Sequence, residues 1–218
     1  EIYVANLRDA KATDKYTLKG SGIEVWHPSF VYHGFRFVEI LNYPGTPTVE
    51  NFEGQLVFDD LPTIGKMETS NTTINAIVKN AWWGIASNYK GMPVDCPQRN
   101  ERQPWLGDRA TGAYGESFLF GNQNLYAKWL DDIEDAQTKE GAIPDVAPAF
   151  WNYYSDNITW PGTYILVANM LQKQFADQQS IIKHYPSMKK WMLYMQGKYL
   201  KDNIVTKDKY GDWCVPPE

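Results

Sequence analysis

The sequence predicts a chain of two parts, an N-terminal β segment followed by a mainly α region. Three observations predict it. Residues 1–66 run in short apolar stretches punctuated by Gly and Pro. From about residue 67 the hydrophobic period lengthens to that of a helix. The helical stripes that follow are joined by two long loops rather than by strands.

In the first part, Gly20-Ser-Gly22 marks a turn, and Phe30 to Ile40 alternates and is rich in Phe, Tyr and Val, as a sheet strand does. Asn42-Tyr-Pro-Gly-Thr-Pro47 breaks that strand. Gln55-Leu-Val-Phe58 is a second, and Asp59, Asp60 and Pro62 close the region. In the second part, Ser70 or Asn71 is the N-cap expected for a helix carrying Ile74, Ile77, Val78, Ala81, Trp82 and Ile85. Further helices are expected over Arg109–Phe120, along Tyr126 to Ala136, along Tyr164 to Phe175 and along Met188 to Tyr199. Pro186 is expected to start or kink the last. Each stripe reads as core. The loops Lys90–Asp108 and Glu140–Trp160 are where binding and catalysis are expected, because irregular backbone on a rigid scaffold lets side chains converge.

A net charge of −5 with no run of Lys or Arg argues against nucleic acid and against a polybasic membrane contact. No apolar run is long enough to span a bilayer. Neither Cys96 nor Cys214 has metal-ligand spacing, so no metal or other cofactor is implied, and a disulfide between them rests on count alone. The chain lacks an initiator Met and a signal peptide, and both ends read as if cut from a longer protein. Nine Trp and fourteen Tyr leave two readings open: an aromatic-rich core, or a site whose rings lie against the apolar faces of sugars.

The most informative stretch is Asp95-Cys-Pro-Gln-Arg-Asn-Glu-Arg-Gln-Pro-Trp-Leu-Gly-Asp108. It holds three carboxylates, two Arg and a Trp, and Pro97, Pro104 and Gly107 disfavour a regular helix through most of it. Glycoside hydrolysis needs a carboxylic acid to protonate the leaving oxygen and a second carboxylate to activate water or attack the sugar. From the residues alone, this is either a carbohydrate site or a loop of solvated charges.

The same stretch resembles the signature loop of family 78 glycoside hydrolases, the α-L-rhamnosidases, whose usual form reads D-C-P-Q-R-D-E-R-x-G-W-T-G-D. Asn100 stands where Asp is commoner, Gln103-Pro104 where a residue and Gly are usual, and Leu106 where Thr is usual. His33 to Glu39, Ile143 to Pro148, Tyr154 to Trp160 and Gly211 to Trp213 resemble other segments of that family. The resemblance implies a β-sandwich segment over 1–66, followed over 67–218 by the first half of an (α/α)6 barrel. It implies Glu101 as general acid, with Asp95, Arg99, Trp105 and Asp108 binding rhamnose. By weaker local matches it adds Trp160, Trp213 and Asp156, the last of which also reads as a helix N-cap. His27, His33 and His184 read as structural, and Glu116 as lying outside the pocket.

The general base of the family lies further toward the C-terminus than this sequence reaches, so the isolated chain is expected to be inactive. The implied reaction is removal of terminal α-L-rhamnose from a glycoside or polysaccharide with inversion. The alternatives are a helical-barrel glycosidase for another sugar, and a non-catalytic sugar-binding fragment. The motif variant is similar to those of Bacteroidetes, which implies a periplasmic or secreted protein.

Overall fold

A computed structural model describes residues 2–211 and 213. Five helices carry the fold: α1 (Thr72–Ser87), α2 (Leu106–Glu116), α3 (Gln123–Asp135), α4 (Thr163–Phe175) and α5 (Gln178–Tyr199). They are followed by a two-stranded hairpin, β1 (Leu200–Lys201) and β2 (Ile204–Val205). The chain is mainly helical, as expected.

The Asn71 side chain caps α1 by accepting from the backbone N–H groups of Thr73 and Ile74, two donors that have no partner inside the helix. α2 begins three residues before the expected Arg109 and ends at Glu116, short of Phe120. Gly107 therefore lies inside a helix, and its missing side chain is used, as shown below. Phe120 instead pairs with Thr63 in an isolated antiparallel bridge. α5 differs most. It starts at Gln178, where the Asp177 carboxylate accepts from the Ser180 N–H, and it runs through Pro186. A proline in a helix interior removes one N–H and leaves the rest of the ladder in place, so packing of Ser180, His184, Met188 and Trp191 carries the helix past it. The hairpin turn uses Asp202 and Asn203, both at positive φ, the backbone a two-residue turn needs.

α4 is the centre of the helical layer and packs against α2, α3 and α5. The core between them is built from Trp129, Leu130, Tyr164, Leu171, Trp191 and their neighbours, all nearly inaccessible to solvent. A second, smaller cluster joins the end of α1 to Phe120 through Ala86, Tyr89 and Leu125. Beneath it lies a buried polar knot. The Glu116 carboxylate takes the hydroxyls of Tyr89 (2.6 Å) and Tyr126 (2.5 Å) and a guanidinium nitrogen of Arg109 (2.6 Å). Glu116 thus ties α2 to α3, and is committed to structure.

Residues 2–62 contain two short 3-10 turns, Ala5–Leu7 and Val49–Asn51, and among the described residues no β-ladder. The expected strands Phe30–Ile40 and Gln55–Phe58 have the right pattern but no neighbouring strand to take their N–H and C=O groups, and an unpaired strand is not stable by itself. The segment is attached at separate points. The Asp59 N–H donates to Tyr89 O, the Gly91 N–H donates to the Asp59 carboxylate, and Arg102 donates to Tyr32 O.

Candidate active site

The loop after α1 is closed by its own hydrogen bonds. Tyr89 bridges Pro93, and the Val94 N–H returns to Asn88 O. The Asp95 N–H then donates to Gln103 O (2.9 Å), while the Gln103 N–H donates to an Asp95 carboxylate oxygen (2.8 Å). This neck turns residues 96–102 into a small lobe. Arg102 completes it at φ 50°, the left-handed region. Beyond the neck, Trp105 pairs with Val146 and the Leu106 N–H with Asp145 O, which joins the lobe to the loop before α4.

The lobe holds a charge cluster. Arg99 places Nε and Nη2 each 2.9 Å from Oε2 of Glu101, and its Nη2 is 3.7 Å from Asp95. Oε1 of Glu101 accepts from the indole N–H of Trp105 at 2.9 Å. Arg8, from the N-terminal segment, adds Nη1 at 3.3 Å from Oε2. Glu101 is therefore fixed from three sides, which is the positioning a proton donor or sugar ligand needs. Burial raises the Asp95 carboxyl above the usual range, with the Glu101 charge adding to it. Asp108, in the first turn of α2, reaches solvent with protein on most sides. It is also raised by desolvation, and the negative charges of Asp95 and Glu101 push it further against the pull of Arg109.

Beside the lobe runs a wall of aromatic rings. Trp105 stacks on Tyr153 (centroids 5.6 Å, interplanar 21°) and meets Tyr210 edge-on at 6.3 Å. Tyr210 packs against Trp160 at 4.4 Å, and both touch Trp213. The Trp160 ring lies on Gly107, where a Cβ would come within 2.2 Å of it. Asp208 clamps the two segments together, accepting from the N–H groups of Ile158 and Thr159 on one side and of Tyr210 and Gly211 on the other. Burial opposes its charge, but these donors win and hold the Asp208 carboxyl below the usual range.

Two domain families match this architecture. Residues 62–218 match the bacterial alpha-L-rhamnosidase 6 hairpin glycosidase domain, and residues 1–58 match the bacterial alpha-L-rhamnosidase concanavalin-like domain. The chain belongs to the bacterial α-L-rhamnosidase family. It is 37% identical over 212 residues to an alpha-L-rhamnosidase of Streptomyces avermitilis, covering 97% of this chain and 20% of that one. The crystal structure of the S. avermitilis enzyme complexed with L-rhamnose superposes with a TM-score of 0.92. The structure of the alpha-L-rhamnosidase from Dictyoglumus thermophilum does so at 0.85, with 41% identity over 88% of this chain and 22% of that one. The chain thus spans about a fifth of the length of these rhamnosidases.

Of the residues singled out from the rhamnosidase motifs, the fold brings Asp95, Arg99, Glu101 and Trp105 into one cluster, with Asp108 beside it. Trp160 and Trp213 are brought to the aromatic wall, where Trp213 stays two-thirds open to solvent. Asp156 goes elsewhere. Its carboxylate accepts from the Tyr194 hydroxyl (2.9 Å) and from Tyr199, with Lys198 at 3.6 Å, so it anchors its loop to the end of α5. It caps no helix either, since α4 starts after Gly162. His33 pairs with Asp14, and His184 is enclosed by Tyr164, Asp131 and Glu134.

Cys96 donates its thiol to Asp95 at 3.1 Å, and burial, with the Asp95 charge adding to it, pushes its pKa up to about 12. Asp95, Cys96 and Glu101 bring their ligand atoms within 4.8 Å of one another. Metal binding would need the thiolate, and Arg99 already fills the space between the carboxylates, so the set suits a guanidinium better than a metal. The Cys96–Cys214 pairing involves a residue outside those described.

Sequence reasoning missed three groups. Asp145 has no solvent access and collects Ser155 Oγ (2.7 Å), Asn157 Nδ2 (2.6 Å) and the Tyr210 hydroxyl (2.9 Å). It lies within Ile143 to Pro148, but a single Asp between Pro and Val gives no sign of burial. Tyr153 and Tyr210 stand next to flagged motifs and complete the wall. Two surface hollows, one between Thr63 and Trp82 and one between Asp132 and Tyr154, include none of the lobe residues.

Proposed function

We propose that the full-length protein carrying this chain hydrolyses terminal α-L-rhamnosides with inversion, and that the 95–108 lobe supplies the proton donor and much of the rhamnose site. Glu101 is the general acid in this reading. Asp95, Arg99 and Asp108 bind sugar hydroxyls by charge-assisted hydrogen bonds. The wall of Trp105, Tyr210, Trp160 and Trp213 offers apolar faces to the pyranose and its methyl group. The observation that carries the reading is the convergence of Arg99 and Trp105 on the Glu101 carboxylate, with Asp95 on the other side of Arg99, beside partly exposed aromatic rings. A carboxylate outside these 218 residues acts as base, so the chain alone binds sugar without turning it over. Carboxylate-rich surroundings stabilise the oxocarbenium-like transition state.

The test is release of p-nitrophenol from aryl glycosides by the full-length protein, with the product anomer followed by NMR. Turnover of the α-L-rhamnoside with the β-anomer of rhamnose appearing first supports the proposal. Preference for a different glycoside in the same panel replaces rhamnose by another sugar, and an α-anomer first product contradicts inversion.

A second reading concerns which group gives the proton. The Asp108 carboxyl, opened to solvent on α2, is raised by desolvation, which favours the neutral form a proton donor needs. Asp108 is the rival proton donor, and leaving-group dependence separates the two.

A further inference from the structure

We propose that Arg8 is a specificity residue of this site, one that recognises a carboxylate on the sugar from which rhamnose is removed, so that the preferred leaving group is a uronate. The inference rests on the rhamnosidase reading with Glu101 as proton donor. A general acid delivers its proton to the oxygen of the leaving group, so a side chain at its solvent edge faces the leaving group rather than the rhamnosyl ring.

The two guanidinium groups on Glu101 are not equivalent. Arg99 is 23% exposed and holds Oε2 through two nitrogens at 2.9 Å. Arg8 is 63% exposed and touches the same oxygen at 3.3 Å. Arg99 is built into the lobe, whereas Arg8 can turn to an incoming anion without breaking it. Its planar fork suits a carboxylate better than a hydroxyl.

Arg8 is also delivered to this place deliberately. It ends the Ala5–Leu7 turn, with its N–H on Ala5 O, at φ 57° and ψ −117°, a backbone that a non-glycine residue rarely adopts. The segment around it is fastened to the lobe at three further points. Asn100 Nδ2 donates to the neighbouring Asp9 carboxylate at 2.6 Å. Arg102 donates to Tyr32 O at 3.0 Å while lying over the Tyr32 ring. Gly34 packs on Gln98 so closely that a Cβ would meet it at 2.9 Å. Asn100, the departure from the usual Asp of the motif, is the residue that makes the Asp9 contact. A carboxylate there would face Asp9 with like charge, so the substitution and the docking of the Arg8 segment belong together.

The experiment compares two disaccharides with the full-length protein: α-L-rhamnosyl-glucuronate and α-L-rhamnosyl-glucose, identical except for the carboxylate. Wild type is expected to favour the uronate by about 5- to 30-fold in kcat/KM, the size of one partly exposed charge-assisted contact. That preference should shrink as salt is raised and vanish in Arg8→Gln. Equal turnover of the two by wild type, or a preference that survives in Arg8→Gln, overturns the inference and leaves the rhamnosidase reading standing. Failure of wild type on both disaccharides and on the p-nitrophenyl α-L-rhamnoside overturns that reading, and this one with it. Where Arg8→Gln does not fold, Arg8→Lys, which keeps the charge and loses the planar fork, is expected to reduce the preference, and equal wild-type turnover of the two disaccharides still overturns the inference.

Discussion

Replacing Asp145 tests how the aromatic wall is held. In Asp145→Ala, the Asn157 amide keeps Ser155 Oγ (2.7 Å) but loses its other acceptor at 2.6 Å in a position with no solvent access, and the stranded N–H costs about 1–3 kcal/mol. Ser155 and Tyr210 lose hydrogen bonds but can turn to water, at about 0.5–1 kcal/mol each. The sum, roughly 2–5 kcal/mol, corresponds to an approximately 30- to 4,000-fold loss of protection, since about 1.4 kcal/mol is a factor of ten. The assay is native-state hydrogen exchange in the full-length protein, read at the N–H groups of Asp145 and Leu106, which donate to Tyr153 O and to Asp145 O.

The pH dependence gives the sign. Burial raises the folded-state carboxyl of Asp145 above its unfolded value. Its contribution is therefore full below the ordinary Asp pKa, about 3.9, and declines as pH rises through the raised folded value. Asp145→Asn, which cannot ionise, should cost most near pH 4 and progressively less toward neutrality. A penalty that instead grows with pH, or unchanged protection in the Ala variant, refutes the reasoning.

Gly107→Ala should push a methyl group into the Trp160 ring at 2.2 Å and cost about 1–3 kcal/mol with a change in tryptophan fluorescence, while Gly115→Ala in the same helix, with open space at its Cβ, should stabilise by about 0.5–1 kcal/mol in thermal unfolding. Glu116→Ala leaves Arg109 buried without its partner and strands two tyrosine hydroxyls. A loss of about 3–5 kcal/mol by urea unfolding is expected, and a loss under 1 kcal/mol would contradict the structural role. Asp208, whose carboxyl is held low, should keep the Tyr210 segment clamped above the ordinary Asp range and release it only as pH falls below that range. Proteolytic sensitivity at 206–211 beginning near neutrality would contradict this.

Helices were the legible part of the fold, because each has a continuous apolar stripe, and Asn71 offers the side-chain oxygen a cap requires. Boundaries were less legible where tertiary contacts decide them. Gly107 reads as a helix breaker, yet it lies in α2 because Trp160 needs the space, and α5 crosses Pro186 on the strength of its packing. The strands of residues 30–40 and 55–58 have the alternating pattern, but pairing depends on a neighbour that a local pattern cannot supply. Within the site, the 95–108 run was legible as a block because its residues act together in one lobe. Asp145, Tyr153 and Tyr210 were not, since each acts through a partner tens of residues away. Asp156 was drawn to the site by its neighbours in sequence and is held away from it by Tyr194 and Tyr199.

Leaving-group dependence tests most directly whether Glu101 is the proton donor. Full-length wild type and Glu101→Gln would be compared on a rhamnosyl disaccharide and on 2,4-dinitrophenyl α-L-rhamnoside, whose leaving group departs without protonation. Glu101→Gln is expected to lose about 10²–10⁴-fold on the disaccharide and far less on the dinitrophenyl substrate. Wild-type turnover of the disaccharide by Glu101→Gln, or the same selective loss in Asp108→Asn instead, would contradict that role.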